Sequence, residues 1–479
     1  MPTIGDLTAP GCFVGSLTAG PADAVGNAGY AFIDVNPKLR RDEKTRTIDL
    51  VYEVEEGPRV FVERVEVKGN VVTLDKVIRR EILLAEGDAF NTAKIRRSKE
   101  RLENLGFFKE EKVKVENAPS QTSPDRTVIT ATVEEQSTGE LQFGIGYSSA
   151  SGALFDVGVS QRNLLGRGQD LRLNFSLAQQ QTQVQISFTE PYFLDRRILA
   201  GGDLFAQSQD YQNQAGYTSK SVGGTARLGF NYNEYLTQRF NYSLSATKLT
   251  GISALSSQYI REQEGSTVTS QITQSISINR LNNVIEPTRG YYVSLSTDLA
   301  GLGGSEKFVR AGLSGGWYHE PFDGWILGLL ANSGYIVGIG ENIKVYQRYQ
   351  LGGTNLRGFD DFGASPRDAS TGDAIGGDWI ITGTAELKIP LGLPKEIGIT
   401  PKLFADLGAI GSPRDLISRL SAAELRNIVH SSQFRGAAGI GVQWESPVGP
   451  IQIDFSPFIF NATTFDRKQK FRVNFGQRF

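Results

Sequence analysis

The sequence has one cysteine, Cys12, and one methionine, Met1, in 479 residues. A single thiol excludes an internal disulfide and any CxxC metal or redox centre. Histidine is nearly as scarce, with only His319 and His430, which leaves little for acid–base catalysis or metal ligation. No excess of one charge sign exists either. Fifty Lys and Arg against 52 Asp and Glu give a net charge of −2, so there is no basic footprint for nucleic acid. No stretch approaches the ~20 consecutive apolar residues that a membrane-spanning helix needs, and mean hydropathy is −0.25. The opening MPTIGDLTAPGCFVGSLTAGPADA lacks the basic n-region of a secretory signal, and Gly11 and Gly15 interrupt its apolar run. Cys12 lacks the leucine-led box of a lipoprotein. These scarcities weigh against an enzyme.

What is present changes period along the chain. VFVERVEV, Val60 to Val67, alternates like a strand and stops at Gly69-Asn70. TLDKVIRREILL, Thr73 to Leu84, places Val77, Ile78, Ile82 and Leu83 near one helical face, with Thr73 as N-cap. A second helix is predicted from the cap residue Asn91 to Gly106, a C′ glycine. FFKEEKVKV and RTVITATVEE then read as strands around the turn-rich APSQTSPD. The order β-α-α-β-β describes a small α+β domain over residues 58–137.

Its last two strands have an echo upstream. GYAFIDVNPKLRRDEKTRTIDLVYEVEEG, Gly29 to Gly57, matches the stretch from Gly106 onward in its aromatic start, polar turn and RT…VEE finish. The spacing of roughly eighty residues suits tandem small domains. Residues 29–57 are therefore expected to be the C-terminal strands of a preceding copy. Residues 1–28 are expected to be a leader or remnant of unassigned structure, and the sequence reads as truncated at its N-terminus.

After about Ser137 the helical period vanishes. LQFGIGY, LRLNFSL, TQVQISF, FNYSLSA, GYYVSLS, TAELKIP, KLFADLG and IQIDF all alternate with period two. Turn signals such as NLLGRGQD, EPTRG and SPVGP separate them. The alternate positions are small or rich in Gln, Ser and Asn, and Tyr and Phe recur near strand ends, as in interfacial girdles. Membrane strands with their turns use roughly twenty residues each, so ~340 residues suggest about sixteen strands. Residues 138–479 are predicted to form a transmembrane antiparallel β-barrel. The soluble-looking hydropathy follows, because only every second residue need face lipid.

The chain closes on FRVNFGQRF, with Phe471, Val473, Phe475 and Phe479 on the lipid parity and Arg472, Asn474, Gly476 and Arg478 on the lumenal one. With the β-α-α-β-β domain, Leu356-Arg357-Gly358-Phe359, ERLENLGFF, QRNLLGRGQ and WESPVGP, this ending resembles the family of BamA-type outer-membrane insertases. The helical module resembles a POTRA domain. The likeness covers nearly the whole chain from about Gly29. It implies an outer-membrane location with the POTRA domain in the periplasm, and a mechanism with no catalytic residues, cofactor, nucleotide or metal. Implied partners are unfolded outer-membrane β-barrel clients, accessory outer-membrane lipoproteins, periplasmic chaperones and the lipid bilayer. In that family the RGF loop folds back into the barrel. By parity Glu386 and Asp406 point inward, and both match acidic residues that the family presents to this loop, so Arg357 is expected to pin the loop through one or both. A lateral seam between first and last strands is expected at Gly139, Gly144, Gly146, Gly476 and Phe479, where glycine weakens strands.

Related readings share this outline. A TamA-type translocation factor or a two-partner secretion transporter would carry the same POTRA-plus-barrel plan and export a polypeptide. GLSGG, Gly312 to Gly316, fits the GxSxG elbow of hydrolases, but that elbow needs a helix after the serine. VRAGLSGGWYHEP reads instead as a barrel strand.

Overall fold

The computed structural model describes residues 34–42, 47–55, 59–392, 397–446 and 449–476. Cys12 and Phe479 therefore lie outside the described residues, as do residues 1–28. Strands β1 (Asp34–Asp42) and β2 (Thr47–Glu55) pair antiparallel. The chain divides into two compact units, residues 1–139 with 161–169, and residues 140–160 with 170–479.

In the first unit, β3 (Phe61–Lys68), β4 (Lys114–Pro119) and β5 (Arg126–Thr132) form a sheet of order β3-β5-β4. The β3–β5 pair is parallel and the β4–β5 pair antiparallel, which requires a crossover after β3. Two helices make it. The second, Thr92–Asn104, starts on Asn91, whose side chain accepts from the Lys94 N–H at 2.9 Å. It gives way to Gly106 at φ +65°. The core joins Val62, Val65, Val77, Ile78, Leu102, Phe108 and Ile129, all nearly or fully buried.

The first helix departs from the sequence expectation. It spans only Asp75–Arg79, its N-cap is Leu74 rather than Thr73, and no side chain caps it. The chain then tightens through three-residue bonds, Glu81 N–H to Ile78 and Ile82 N–H to Arg79. That change of pitch lets both Ile82 and Leu84 enter the core. FFKEEKVKV, the first of the two strands predicted after the helices, passes instead through a 3₁₀ turn over Glu110–Lys112 before β4.

What caps the entry to the short helix comes from far along the chain. The Glu135 carboxylate accepts the N–H groups of Val71 (3.1 Å), Val72 (2.9 Å) and Thr73 (2.6 Å). Burial pushes this carboxyl upward, but bonds from the Thr73 hydroxyl and these N–H groups outweigh it and hold it below the ordinary carboxylate range. A group depressed in the folded state stabilises it above the unfolded pKa of about 4.3 and loses that contribution as pH falls. Glu135→Ala is expected to speed hydrogen exchange at residues 71–73 about tenfold at pH 7. Wild-type protection, corrected for intrinsic rates, should fall only below about pH 4. Equal exchange in the two proteins would remove Glu135 from this role.

The same unit explains QRNLLGRGQ. The buried Asn163 side chain donates to the Thr73 hydroxyl at 2.8 Å and accepts from the Gly168 N–H at 2.7 Å. Gly166, at φ +70°, presses on the Val72 carbonyl, which a Cβ would meet at 1.9 Å. Only glycine fits there.

Sixteen strands close the second architecture into a barrel. Its first half comprises β6 (Gly139–Ser148), β7 (Gly152–Leu164), β8 (Gln169–Ala178), β9 (Gln181–Glu190), β10 (Ile198–Asp210), β11 (Thr218–Asn231), β12 (Leu236–Thr250) and β13 (Gly265–Asn279). β14 (Gly290–Ala300), β15 (Phe308–Phe322) and β16 (Trp325–Gly338) follow, and then the short β17 (Gly358–Phe359) and β18 (Arg367–Asp368). The remainder is β19 (Trp379–Lys388), β20 (Ile399–Ile410), the short β21 (Ile428–Val429), β22 (Arg435–Ser446), β23 (Gly449–Phe460), the short β24 (Lys468–Gln469) and β25 (Phe471–Phe475). The four two-residue strands lie outside the barrel wall. Alternation sorts the faces as the sequence predicts. Val184, Ile186 and Phe188 are exposed on one parity, and on β25 Phe471 is exposed while Arg472 is buried. Ser314 of GLSGG sits inside β15 with no helix after it, and His319 lies on the same strand with its ring stacked on Trp317 at 5.4 Å.

Candidate functional site

The segment between β16 and β19 turns inward and packs on the barrel wall. Leu351, Leu356, Phe359 and Ala364 are fully buried and share a cluster with Ile410 of β20. A two-residue ladder joins the loop to the chain just ahead of the last strand, Gly358 opposite Gln469 and Phe359 opposite Lys468. Gly358 adopts φ +88°, and a Cβ there would lie 2.9 Å from that of Ala437 on β22. The left-handed turn and the close wall both require glycine.

Arg357 follows Leu356 into this contact and meets three carboxylates. Its Nε and Nη2 donate to the two oxygens of Asp406 at 2.7 and 2.8 Å, a bidentate fork. Its backbone N–H donates to the same carboxylate at 3.1 Å, and Nη1 donates to Glu386 at 3.1 Å. Asp454 of β23 lies 3.8 Å away. The guanidinium also sits 3.7 Å over the Phe404 ring. Planar, always charged and weakly hydrated, guanidinium suits both the fork and the stack, where an ammonium would lose one of them. The Arg357 side chain is 9 % exposed and that of Asp406 is 1 % exposed, so solvent screens the pair little.

The structure thus brings together the three residues the sequence singled out, Arg357, Glu386 and Asp406, and adds others the sequence reading missed. Lys402 Nζ bonds Glu386 at 3.1 Å and lies 3.4 Å from Asp454. The Thr384 hydroxyl donates to Asp406 at 2.9 Å. Parity could have found them: Lys402 and Phe404 share the face of Asp406 in KLFADLG, and Asp454 opposes Ile451, Ile453 and Phe455 in IQIDF. A second tie had no local signal. Arg472 of β25 donates to Asp361 of the loop at 3.0 Å and to Gln469 at 2.8 Å.

Among the described residues the ladder at the seam between β25 and β6 has two register pairs, Asn474 opposite Ser148 and Phe475 opposite Tyr147. The β10–β11 ladder runs the whole length from Ile198 to Asp210. The Ser148 hydroxyl donates to Asn474 at 2.9 Å, and the Ser149 N–H donates to the Val473 carbonyl at 3.0 Å. Below these, Gly476 at φ +103° crosses Gly146, and a Cβ on Gly476 would lie 2.6 Å from the Gly146 Cα. A Cβ on Gly146 would lie 2.6 Å from the Phe475 carbonyl oxygen. These two glycines are a steric requirement of the crossing. Gly139, where a Cβ would meet only Gln161 at 3.4 Å, is not. Gly144 lies mid-strand on the lumenal parity, between the exposed Phe143 and Ile145.

Comparison with known proteins follows the same outline. Residues 163–479 match the family model described as the Omp85 superfamily domain. Residues 60–136 match the POTRA model, described as a surface antigen variable number repeat. The chain is 30% identical over 428 residues to the outer membrane protein assembly factor BamA of Neorickettsia risticii, covering 89% of this chain and 56% of that protein. It is 27% identical over 492 residues to BamA of Neisseria meningitidis serogroup B, covering 95% of this chain and 61% of the relative. The chain thus spans little more than half the length of the relatives it matches. Among solved structures, BamA from Haemophilus ducreyi lacking POTRA domains 1–3 superposes with a TM-score of 0.81 at 25% identity, covering 95% of this chain and 91% of the other. CdiB from Acinetobacter baumannii shares the fold at 13% identity, with a TM-score of 0.53 over 94% of this chain and 79% of its own.

Proposed function

Because the chain belongs to the Omp85 superfamily, we propose that it is the membrane-embedded subunit that folds and inserts β-barrel clients into the outer membrane. The observation that carries this reading is the glycine crossing of Gly476 on Gly146 where the first and last strands meet, beside a ladder of two register pairs among the described residues. A closed barrel has no free strand edge, so a client strand must find one where closure is weakest. Parting β25 from β6 exposes backbone groups that cost several kcal/mol each if left unpaired in lipid. A client strand that adds to β6 satisfies them by β-augmentation. Neither nucleotide nor covalent chemistry is needed, since the free energy comes from the client's own folding.

The remaining parts take roles around this gate. Arg357, with Glu386 and Asp406, holds the loop against β19 and β20. Leu356, Gly358 and Phe359 fit it to the wall, and Asp361 ties it to β25. The sheet edges of the POTRA domain receive extended clients, delivered by periplasmic chaperones, or accessory lipoproteins of the assembly complex. The β1–β2 pair is the tail of a preceding POTRA domain.

Reconstitution tests the proposal. The chain in liposomes, mixed with a urea-unfolded outer-membrane barrel protein, is expected to raise the client's folding rate at least about tenfold over empty liposomes, read as protease-resistant client. Passage of a polypeptide into the liposome lumen with no gain in client folding would replace insertion by export, the activity of a TamA-type factor or a two-partner secretion transporter.

A further inference from the structure

We propose that the outer wall at β9–β13 holds a binding site for a phosphate-bearing lipid of the outer leaflet, centred on Lys220 and Lys248. β6 leaves the POTRA domain, so β10 and β12 run outward, and the connections 211–217 and 251–264 lie at the outer end. The register places Thr182, Ser208, Lys220, Lys248 and Ser266 side by side in one row just inside that end. The row shares the parity of Val184, Val222 and Val268, which are exposed, and opposes that of the buried Thr247. Two lysines thus stand directly opposite each other on the lipid-facing wall.

Like charges in directly opposed positions repel. Among the described residues neither lysine has an ion-pair partner, although other basic side chains of this barrel do, such as Arg227 with Asp203. An anion between the two ammonium groups turns the repulsion into attraction on both sides. With three donors each and hydroxyls at Ser208, Ser266 and Thr182 alongside, the row matches the oxygens of a phosphate monoester.

The wall beneath the row fits the rest of a lipid. The next row reads Val184, Ala206, Val222, Ala246 and Val268, and the one below it Ile186, Leu204, Gly224 and Leu244. Small residues at Ala206 and Ala246 between larger ones leave a shallow groove of about 490 Å³, edged by Lys220 and Lys248 and lined by Val184, Val222 and Ala246. A charged rim over an apolar trough suits a headgroup with its acyl chain, where a free anion would use only the rim.

The test is native mass spectrometry of the whole chain, released from detergent with dimyristoyl phosphatidic acid, dimyristoyl glycerol or dimyristoyl phosphatidylcholine. Phosphatidic acid is expected to be retained preferentially. The double variant K220Q/K248Q should weaken that retention about thirtyfold, roughly fivefold for each lysine near an anionic headgroup, and K220R/K248R should keep it. Ala246→Leu, which fills the groove on the lipid side, should weaken retention while sparing both charges. Equal retention of the three lipids, wild-type retention by the glutamine pair, or full competition by inorganic phosphate would overturn the site.

Discussion

Arg357→Ala is expected to free the lumenal loop from the barrel wall and abolish client assembly. The substitution strands Asp406 and Asp454, both about 2 % exposed, without their guanidinium. Breaking one side of a buried pair costs roughly 3–5 kcal/mol, and the lower end applies because Lys402 remains beside Glu386 and Asp454. A cysteine at position 364, fully buried as alanine, reports on the loop in a chain whose Cys12 is replaced by serine. Maleimide should label it about a hundredfold faster when Arg357→Ala is added, the equivalent of ~3 kcal/mol. Arg357→Lys should fall between, since an ammonium keeps the charge but lacks the planar fork. Unchanged labelling together with unchanged client folding would remove the clamp from the mechanism.

The second large effect concerns the seam. Ser148 and Asn474 face each other in the ladder with their side chains in contact. Opposed residues in an antiparallel pair lie about 4.5–5.5 Å apart at Cα, within the range a disulfide bridges. The oxidised S148C/N474C protein, again without Cys12, is expected to fall to the rate of empty liposomes, and reduction should restore wild-type folding of the client. A bridge between β12 and β13 at the opposed Ser243 and Gln271 should leave the rate unchanged. Full activity of the oxidised seam protein would refute lateral opening.

The sequence carries the barrel because period-two alternation is local, each strand declaring its own faces. Strand number follows from length, and the inward parity of Glu386 and Asp406 from their neighbours. The first POTRA helix is shorter than its periodicity suggests, since its end depends on Ile82 and Leu84 reaching a core that local periodicity does not describe. Phe404, Lys402 and Asp454 were within reach of the same parity rule. The Arg472–Asp361 tie and the Lys220–Lys248 pairing were not, because cross-strand register is set by turns and by contacts far apart in the chain. The steric demand at Gly146 and Gly476 likewise exists only once the barrel has closed.

The ladder between β17 and β24 has a consequence for how this protein itself matures. Asp361 and Arg472 are 111 residues apart, and Ser148 and Asn474 are 326 apart, so both contacts impose long loop closures that slow folding. The terminal segment pairs with β23 on its own but gains the β17 ladder and the Asp361 bond only from a docked loop, and the loop lacks part of its support until that segment arrives. Ring completion and docking of the lumenal loop are therefore coupled, each adding contacts that hold the other in place.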